Sequence, residues 1–412
     1  MNRELYDLAY SFRNAKLWKV IFEDELFAVK LPNKQIGYCS LMGRSGQHMA
    51  LGVYIGQDGF SSYRKLISYS GHRKQSASYP VELLTQDCIQ CSIERRDQFS
   101  PEELADIKAY CEESGTSFRA PFPQFSRFYP YCVPWYITKK NDWKSLQTAL
   151  EVMKKIGELL KTHSKEDLGL NPIAADLTGE AYINQAQRQE TLFGQTESVT
   201  VPLFSLANGN LVVERIPLPT YKEPDMAPPT RFNELAVAKL MKLKKDGVLQ
   251  CEVLRAPEPV EGEPPYVPAL LLSVETDEGM VLRPTVAQGA QYDPNEMIQG
   301  FCEALLASGV YPRQITVKTK ETATLLRPFC EKAKIDFFVS QALDALDEVA
   351  EQILQREENE DRLSEMLRML GEMSVDQISQ LPALLLQQML EVKEMLPDNI
   401  AVKIEKALDG KA

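Results

Sequence analysis

Between residues 266 and 355 the chain alternates apolar runs with amphipathic segments, and this is its clearest pattern. Ala269–Glu275 (ALLLSVE) is almost continuously apolar, as a strand covered on both faces would be. A turn and a return strand over Met280–Gln288 follow, and helical and strand-like segments then alternate as far as a helix from Leu343. Strands that alternate with helices indicate crossover connections and partly parallel pairing. We therefore predict a small α/β unit over residues 266–355.

Residues 1–185 mix helical and strand periods, and we predict an α+β domain there. The runs GYCSLMG and MALGVYIG flank a turn in which Gly43 and Gly46 can supply positive φ angles, so they predict a hairpin. A helix follows from near Ser61, and Cys88–Glu94 alternates like a strand. Two further helices are predicted, from a cap at Ser100 to Gly115 and from about Asp142 to Lys161.

Two other regions stand out by their proline content and by their helical period. Between residues 186 and 265 short β-like runs alternate with Pro-rich connections around one helix, so we predict a Pro-rich β connector. Residues 356–412 predict a helical tail, with a capping box at Ser374. Its apolar stripes contain several methionines, which adapt to varied surfaces. The chain is thus predicted to be a multidomain protein of mixed α/β and α+β class.

Length and composition limit the class of protein. With 412 residues the chain exceeds one ordinary core, and no run approaches the ~18 apolar residues of a membrane helix. The first residues carry charges throughout and lack the apolar stretch of a signal peptide. Eight scattered cysteines then indicate reduced thiols and a cytoplasmic location. The net charge of −12 argues against nucleic acid as a partner.

The common catalytic and cofactor motifs are missing. Cys88 and Cys91 form the single CxxC, but both fall in a strand pattern, so we interpret them as buried thiols. The three histidines lie in a predicted turn, in a polar loop and beyond a helix end. Neither GxGxxG nor GxxxxGK[ST] occurs, and no second ligand pair accompanies the CxxC. We therefore predict neither a cofactor nor a metal.

One catalytic alternative concerns acids in the α/β unit, whose order of elements resembles a ribonuclease-H-like core. Two-metal nucleases need several converging carboxylates, and Glu275 and Asp277 lie at the end of the first predicted strand. The next strand region, ITVKTKE, offers only Glu321, and Asp336 begins the last strand. A turn at 275–279 is the simpler interpretation. A metal-dependent nuclease or phosphoryl-transfer enzyme is the alternative, with Glu275, Asp277 and Asp336 as candidates.

The aromatic segment, residues 118–136, is the strongest candidate for binding. Rigid aromatic side chains beside arginine are typical of protein-binding hot spots. The same residues could stack on single-stranded nucleic acid, or their rings could simply cover the domain core. The candidate binding residues are Phe122, Phe125, Arg127, Tyr129, Tyr131 and Trp135.

Several motifs resemble a known tandem arrangement. LW at 17–18, LFAVK, GYCSLMG and ALGVYIGQDGF are similar to the first domain of an uncharacterised bacterial family. In that family a second domain of unknown function follows, which ALLLSVETDEG and PRQITVKT resemble. The resemblance implies a bacterial, intracellular, two-domain protein and brings no activity with it. Our leading hypothesis is a non-enzymatic interaction or scaffold protein whose partner binds the aromatic segment or the Met-rich tail.

Overall fold

The structure is a computed structural model. It describes residues 3–69, 84–172, 199–220, 226–256, 258–277, 279–352, 369–371, 373–380, 386 and 397–409. The chain divides into two compact units, residues 1–340 and residues 341–412. Within the described ranges no helix is both long enough and apolar enough to cross a membrane.

The first sheet has eight strands in the order β6-β5-β4-β3-β2-β1-β7-β8, and every neighbouring pair is antiparallel except β1 with β7. The predicted hairpin is present as β2 and β3. The strands are β1 (Phe27–Lys30), β2 (Ile36–Met42), β3 (Met49–Ile55), β4 (Cys88–Glu94), β5 (Phe122–Phe128), β6 (Trp135–Tyr136), β7 (Thr200–Ala207) and β8 (Asn210–Pro217).

Helices cover both faces of this sheet. Helices α1 (Arg3–Ala15) and α4 (Lys140–Leu159) bury one face, in a core that includes Leu5, Phe27 and Met153. Helix α2 (Gly56–Tyr69) buries Phe60 and Tyr63 against the other. It starts about five residues before the predicted position, because Gly56 has a φ of 68° and lets β3 turn directly into the helix.

Helix α3 (Pro101–Ser114) has the predicted ends. The Ser100 side chain accepts a hydrogen bond from the Glu103 backbone, the Glu103 side chain accepts one from the Ser100 backbone, and Gly115 ends the helix with a φ of 70°. Local sequence determines both ends, since each depends on a few neighbouring residues.

The predicted Pro-rich connector is divided between two sheets. Its first β-like runs are β7 and β8, which extend the first sheet beyond β1. Its helix, α5 (Glu234–Leu240), and a strand, β9 (Val248–Arg255), belong to the second sheet and its core. The connector therefore supplies structure to both sheets rather than forming a layer of its own.

The second sheet has the order β11-β10-β9-β12-β13. Strands β9, β10 (Ala269–Glu275) and β11 (Thr285–Val286) pair antiparallel, while β12 (Gln314–Val317) and β13 (Asp336–Val339) run parallel to β9. Helices α6 (Pro294–Ser308) and α7 (Lys320–Lys332) connect the last strands. Three antiparallel strands followed by two helix-linked parallel ones confirm the predicted ribonuclease-H-like architecture.

Two details of the α/β prediction are wrong. The sheet begins with β9, so β10 is its second strand rather than its first. The return strand predicted over Met280–Gln288 shortens to two residues in β11, just after Pro284, which has no N–H to donate to a ladder.

The second unit, residues 341–412, is helical where it is described. Ser374 caps α8 (Val375–Ile378) with the predicted capping box, and α9 (Asp398–Asp409) packs Ile400 and Ile404 beside Leu370 in a small core. Much of the predicted Met-rich stripes lies outside the described residues, namely Leu363, Met366, Leu367, Leu385, Met389, Val392 and Leu396.

Candidate functional site

The three candidate acids of the α/β unit do not converge. Glu275 is 8% exposed and accepts a hydrogen bond from the Asp277 backbone at 3.0 Å, which forms the turn that the simpler interpretation predicts. Asp277 and Asp336 are exposed. Strands β9 and β12 separate Glu275 on β10 from Asp336 on β13, so three interstrand spacings place their backbones about 14 Å apart.

Paired catalytic cations lie ≈ 3.5–4 Å apart and need carboxylates that both can share. Glu275 and Asp336 are too far apart to bind the same pair of cations. Among the described residues, no group of three or more His, Cys, Asp or Glu side chains could hold a metal ion. The acids also lie at the edge where β9, β12 and β13 begin. Ligands of parallel sheets bind beyond the opposite, carboxyl ends of the strands.

Glu252 on the central strand β9 is a buried acid towards the carboxyl ends of the parallel strands. It is not among the candidates chosen from the sequence. Its side chain is 4% exposed. One carboxylate oxygen accepts hydrogen bonds from the backbone N–H groups of Lys318 and Thr319, at 2.9 and 3.2 Å. The other accepts from the hydroxyls of Thr319 and Thr322, the latter at 2.6 Å.

Four donors thus occupy the carboxylate of Glu252 at the N-terminus of α7, where the helix dipole favours a negative charge. Thr322 has no exposed surface, and its hydroxyl also accepts from the Val253 backbone at 3.0 Å. The cluster ties α7 to β9. Thr319 is the N-cap residue of α7, and Glu252 holds it and the preceding residue in place. The hydrogen-bonding capacity of Glu252 is therefore used inside the protein.

The single CxxC cannot act as a pair. Cys88 and Cys91 are three positions apart on one strand, so their side chains point to opposite faces of the sheet. Cys88 packs in the core beneath α2, and Cys91 in the core beneath α1 and α4. Burial raises the pKa of the Cys88 thiol to about 12. The interpretation of these residues as buried thiols is confirmed.

Several residues of the aromatic segment are used internally. Phe122 is 1% exposed, in a core with Tyr110 of α3. The Arg127 guanidinium pairs with Asp87 at 2.6 Å and Asp142 at 3.4 Å, and lies 4.2 Å from the Tyr129 ring centroid. Phe122 and Arg127 are thus parts of the scaffold rather than an open surface.

Tyr131 connects the two sheets. Its ring centroid lies 3.3 Å from the guanidinium carbon of Arg255, at the end of β9, and its carbonyl accepts from the Val267 backbone at 2.8 Å. Arg255 also donates to the Ala290 carbonyl at 2.8 Å. The aromatic segment therefore fastens the first sheet to the loop between β9 and β10.

Among the candidate binding residues of the aromatic segment, Phe125 and Trp135 line an open cavity. The main chamber has a volume of ≈ 780 Å³ between α1, α3, β5 and α4. A neighbouring chamber of ≈ 180 Å³ shares four lining residues with it. We call the two together the aromatic groove. The aromatic side chains that line it are Tyr6, Phe99, Phe125, Trp135, Tyr136 and Trp143.

The rings in the aromatic groove support one another. Phe125 meets Tyr6 and Trp143 edge to face, with centroids 5.2 and 5.7 Å apart. Trp135 meets Tyr136 in the same way at 5.2 Å, and Tyr136 is 48% exposed. Such pairs hold the rings in fixed positions, so the aromatic part of the groove is preformed.

Charged side chains surround these rings. Four carboxylates, from Glu4 on α1 and Glu102, Glu103 and Asp106 on α3, line the main chamber with two lysines from α4, which gives the lining a net charge of −2. Burial, followed by the charges of Asp106 and Glu103, raises the pKa of Tyr6 to about 12. The acidic side chains therefore act electrostatically on the aromatic groove.

Comparisons with known proteins find family models that match two stretches of the chain. Residues 3–171 match the family model described as Domain of unknown function (DUF7309), and residues 236–354 match Domain of unknown function (DUF6930). The chain carries these two domains in tandem. This confirms the tandem order of two uncharacterised domains that the sequence motifs indicated. The aromatic groove lies within the DUF7309 domain, and Glu252 lies in the DUF6930 domain.

Two of the solved structures that match are of the HTLV-2 integrase catalytic core domain in complex with magnesium, one in a trimeric and one in a dimeric form. The identities are 19% and 18%, and each match covers 40% of this chain and 83% of that chain, with a TM-score of 0.19. A similarity of this size carries no functional argument. A search of curated proteins finds no match.

Proposed function

We propose that this chain is a non-enzymatic interaction module that binds a segment of another protein in the aromatic groove of its DUF7309 domain. One observation carries the proposal: a preformed cavity of ≈ 780 Å³, lined by aromatic rings that hold each other in place, opens to solvent beside the half-exposed Tyr136. Rigid aromatic side chains supply binding energy at a low cost in conformational entropy.

The positions of the other candidates favour this function over the alternatives. The acids Glu275, Asp277 and Asp336 are spread along one sheet edge, and the carboxylate of Glu252 is occupied by hydrogen bonds within the protein, so the nuclease alternative gains no support. Single-stranded nucleic acid also fits poorly, because the groove lining is net negative and phosphates need clustered cations. The Met-rich tail gives no support either way, since most of it lies outside the described residues.

The proposal is tested by comparing partners captured by three full-length proteins. The first is the natural chain, and the second carries Tyr136→Ala with Trp143→Ala in the groove. The third carries Phe338→Ala, which removes a 52% exposed ring from β13, an edge strand of the second sheet that does not line the groove. We expect the natural and Phe338→Ala proteins to capture the same partner, and the groove variant to lose it. Equal capture by all three would reject the groove as the binding site.

A further inference from the structure

We infer that the aromatic groove takes an extended peptide in which prolines alternate with arginine or lysine. This inference rests on the proposed function and specifies the chemistry of the partner. It combines the charge of the groove lining, the exposure of its acids and the geometry of its rings.

The acids are available to a ligand. Glu4, Glu102 and Asp106 are exposed, and none of them forms an ion pair with another residue in the described part of the chain. Glu103 is already engaged, because its side chain accepts the Ser100 backbone N–H. Three unpaired carboxylates beside the groove favour a cation and repel an acidic peptide.

The rings favour the same ligand. A guanidinium or ammonium group over the face of tyrosine or tryptophan gains a cation–π attraction. Proline packs well on aromatic side chains, and a polyproline helix is already extended, so it loses little conformational entropy on binding. Trp135 and Tyr136 line the smaller chamber, and the ring pair of Phe125 and Trp143 lines the main one.

The lysines of the groove make the inference specific. Lys140 and Lys144 come from α4, a different helix from those of the acids, and they too are exposed. A cationic peptide is attracted by α1 and α3 and repelled by α4. Neutralising the acids and neutralising the lysines must therefore change its affinity in opposite directions. A groove that binds apolar segments without regard to charge would respond to neither change.

The test measures binding of fluorescent 12-residue peptides by polarisation. One peptide alternates proline with arginine, a second replaces each arginine by glutamate, and a third replaces each proline by alanine. We expect only the first to bind measurably. Tighter or equal binding of either of the others would overturn the inference. It would leave the proposed function standing, because the capture experiment does not depend on peptide chemistry.

Two matched variants complete the test. Glu102→Gln with Asp106→Asn should weaken the binding of the first peptide about fivefold, because it removes two exposed charges that attract the peptide and each such pair is weak. Lys140→Gln with Lys144→Gln should tighten the binding of the first peptide by about twofold, because it removes two exposed cations that repel the peptide. Equal weakening in both variants, or no binding by the natural protein, would overturn the inference. So would a concentration-dependent dimer that Tyr136→Ala abolishes, because a second copy would then be the occupant.

Discussion

Replacing the buried carboxylate of Glu252 tests whether the DUF6930 domain uses it to hold the start of α7, whose N-cap is Thr319. In Glu252→Leu, the backbone N–H groups of Lys318 and Thr319 lose their acceptor, and so does the fully buried hydroxyl of Thr322. Lys318 and Thr319 are exposed, so water can replace part of what is lost, and each N–H costs about 1 kcal/mol. The buried hydroxyl adds about 1–2 kcal/mol.

We therefore expect Glu252→Leu to lower the free energy of unfolding by about 3 kcal/mol. Glu252→Gln should cost only about 1 kcal/mol, because the amide oxygen still accepts from the backbone while the interaction of the charge with the helix dipole is lost. Glu303→Gln changes an exposed acid on α6 and should stay within about 0.5 kcal/mol of the natural chain.

Urea unfolding of the four proteins, followed by circular dichroism, measures this series with and without Mg²⁺. A structural role for the carboxylate requires the order natural, Glu252→Gln, Glu252→Leu in decreasing stability, with no effect of Mg²⁺ on the differences. A Leu variant as stable as the natural chain would refute the reasoning. Mg²⁺ that stabilises the natural chain but not Glu252→Gln would indicate that the carboxylate is a metal ligand instead.

Three other outcomes follow from the structure. Arg127→Met should lower the free energy of unfolding, measured in urea, by about 3 kcal/mol, because it leaves the part-buried Asp87 and Asp142 without their cation. Neutralising both aspartates in the same protein should restore much of the lost stability. The hydrogen bond from His48 lowers the pKa of Glu94, so the stability from this contact is present above the unfolded pKa of about 4.3 and is lost as the pH falls through the folded pKa. Glu94→Gln should flatten that loss in unfolding curves between pH 3 and 6, and an unchanged slope would contradict it. All eight cysteines are buried, so a thiol reagent at pH 8 should label them only after denaturation, whereas fast labelling of the native protein would show an open thiol.

Features fixed by neighbouring residues were predictable from the sequence. The capping box at Ser100, its partner at Ser374 and the hairpin of β2 and β3 each depend on a few adjacent side chains. The alternation of strands and helices after residue 269 likewise predicted the α/β unit. Local chemistry and periodicity carry this information directly.

The central strand of the second sheet could not be recognised in the same way. Strands β9 and β10 pair along their whole length, but a Pro-rich loop over residues 256–268 separates them. Hairpin loops are usually two to five residues long, so the sequence suggests a boundary there instead of a turn. Taking β10 as the first strand then directed the search for acids to the wrong edge, away from Glu252.

The aromatic groove was predictable only in part. The density of rings in residues 118–136 pointed to Phe125 and Trp135, which do line it. Its acids and Trp143 come from helices that are distant in sequence, and only tertiary packing brings them together. The same packing removes Phe122 and Arg127 from the surface, because burial of rings and pairing of charges depend on neighbours that the local pattern does not reveal.

Tryptophan resonances offer the most direct test of the aromatic groove as a peptide-binding site. The chain has three tryptophans; Trp135 and Trp143 line the groove, while Trp18 is 4% exposed in the core and serves as an internal control. Fluorine NMR of protein labelled with 5-fluorotryptophan would follow all three during titration with the proline–arginine peptide. The account predicts saturable shifts of the Trp135 and Trp143 signals with Trp18 unmoved. Signals that stay in place, or a Trp18 signal that shifts as far as the others, would contradict it.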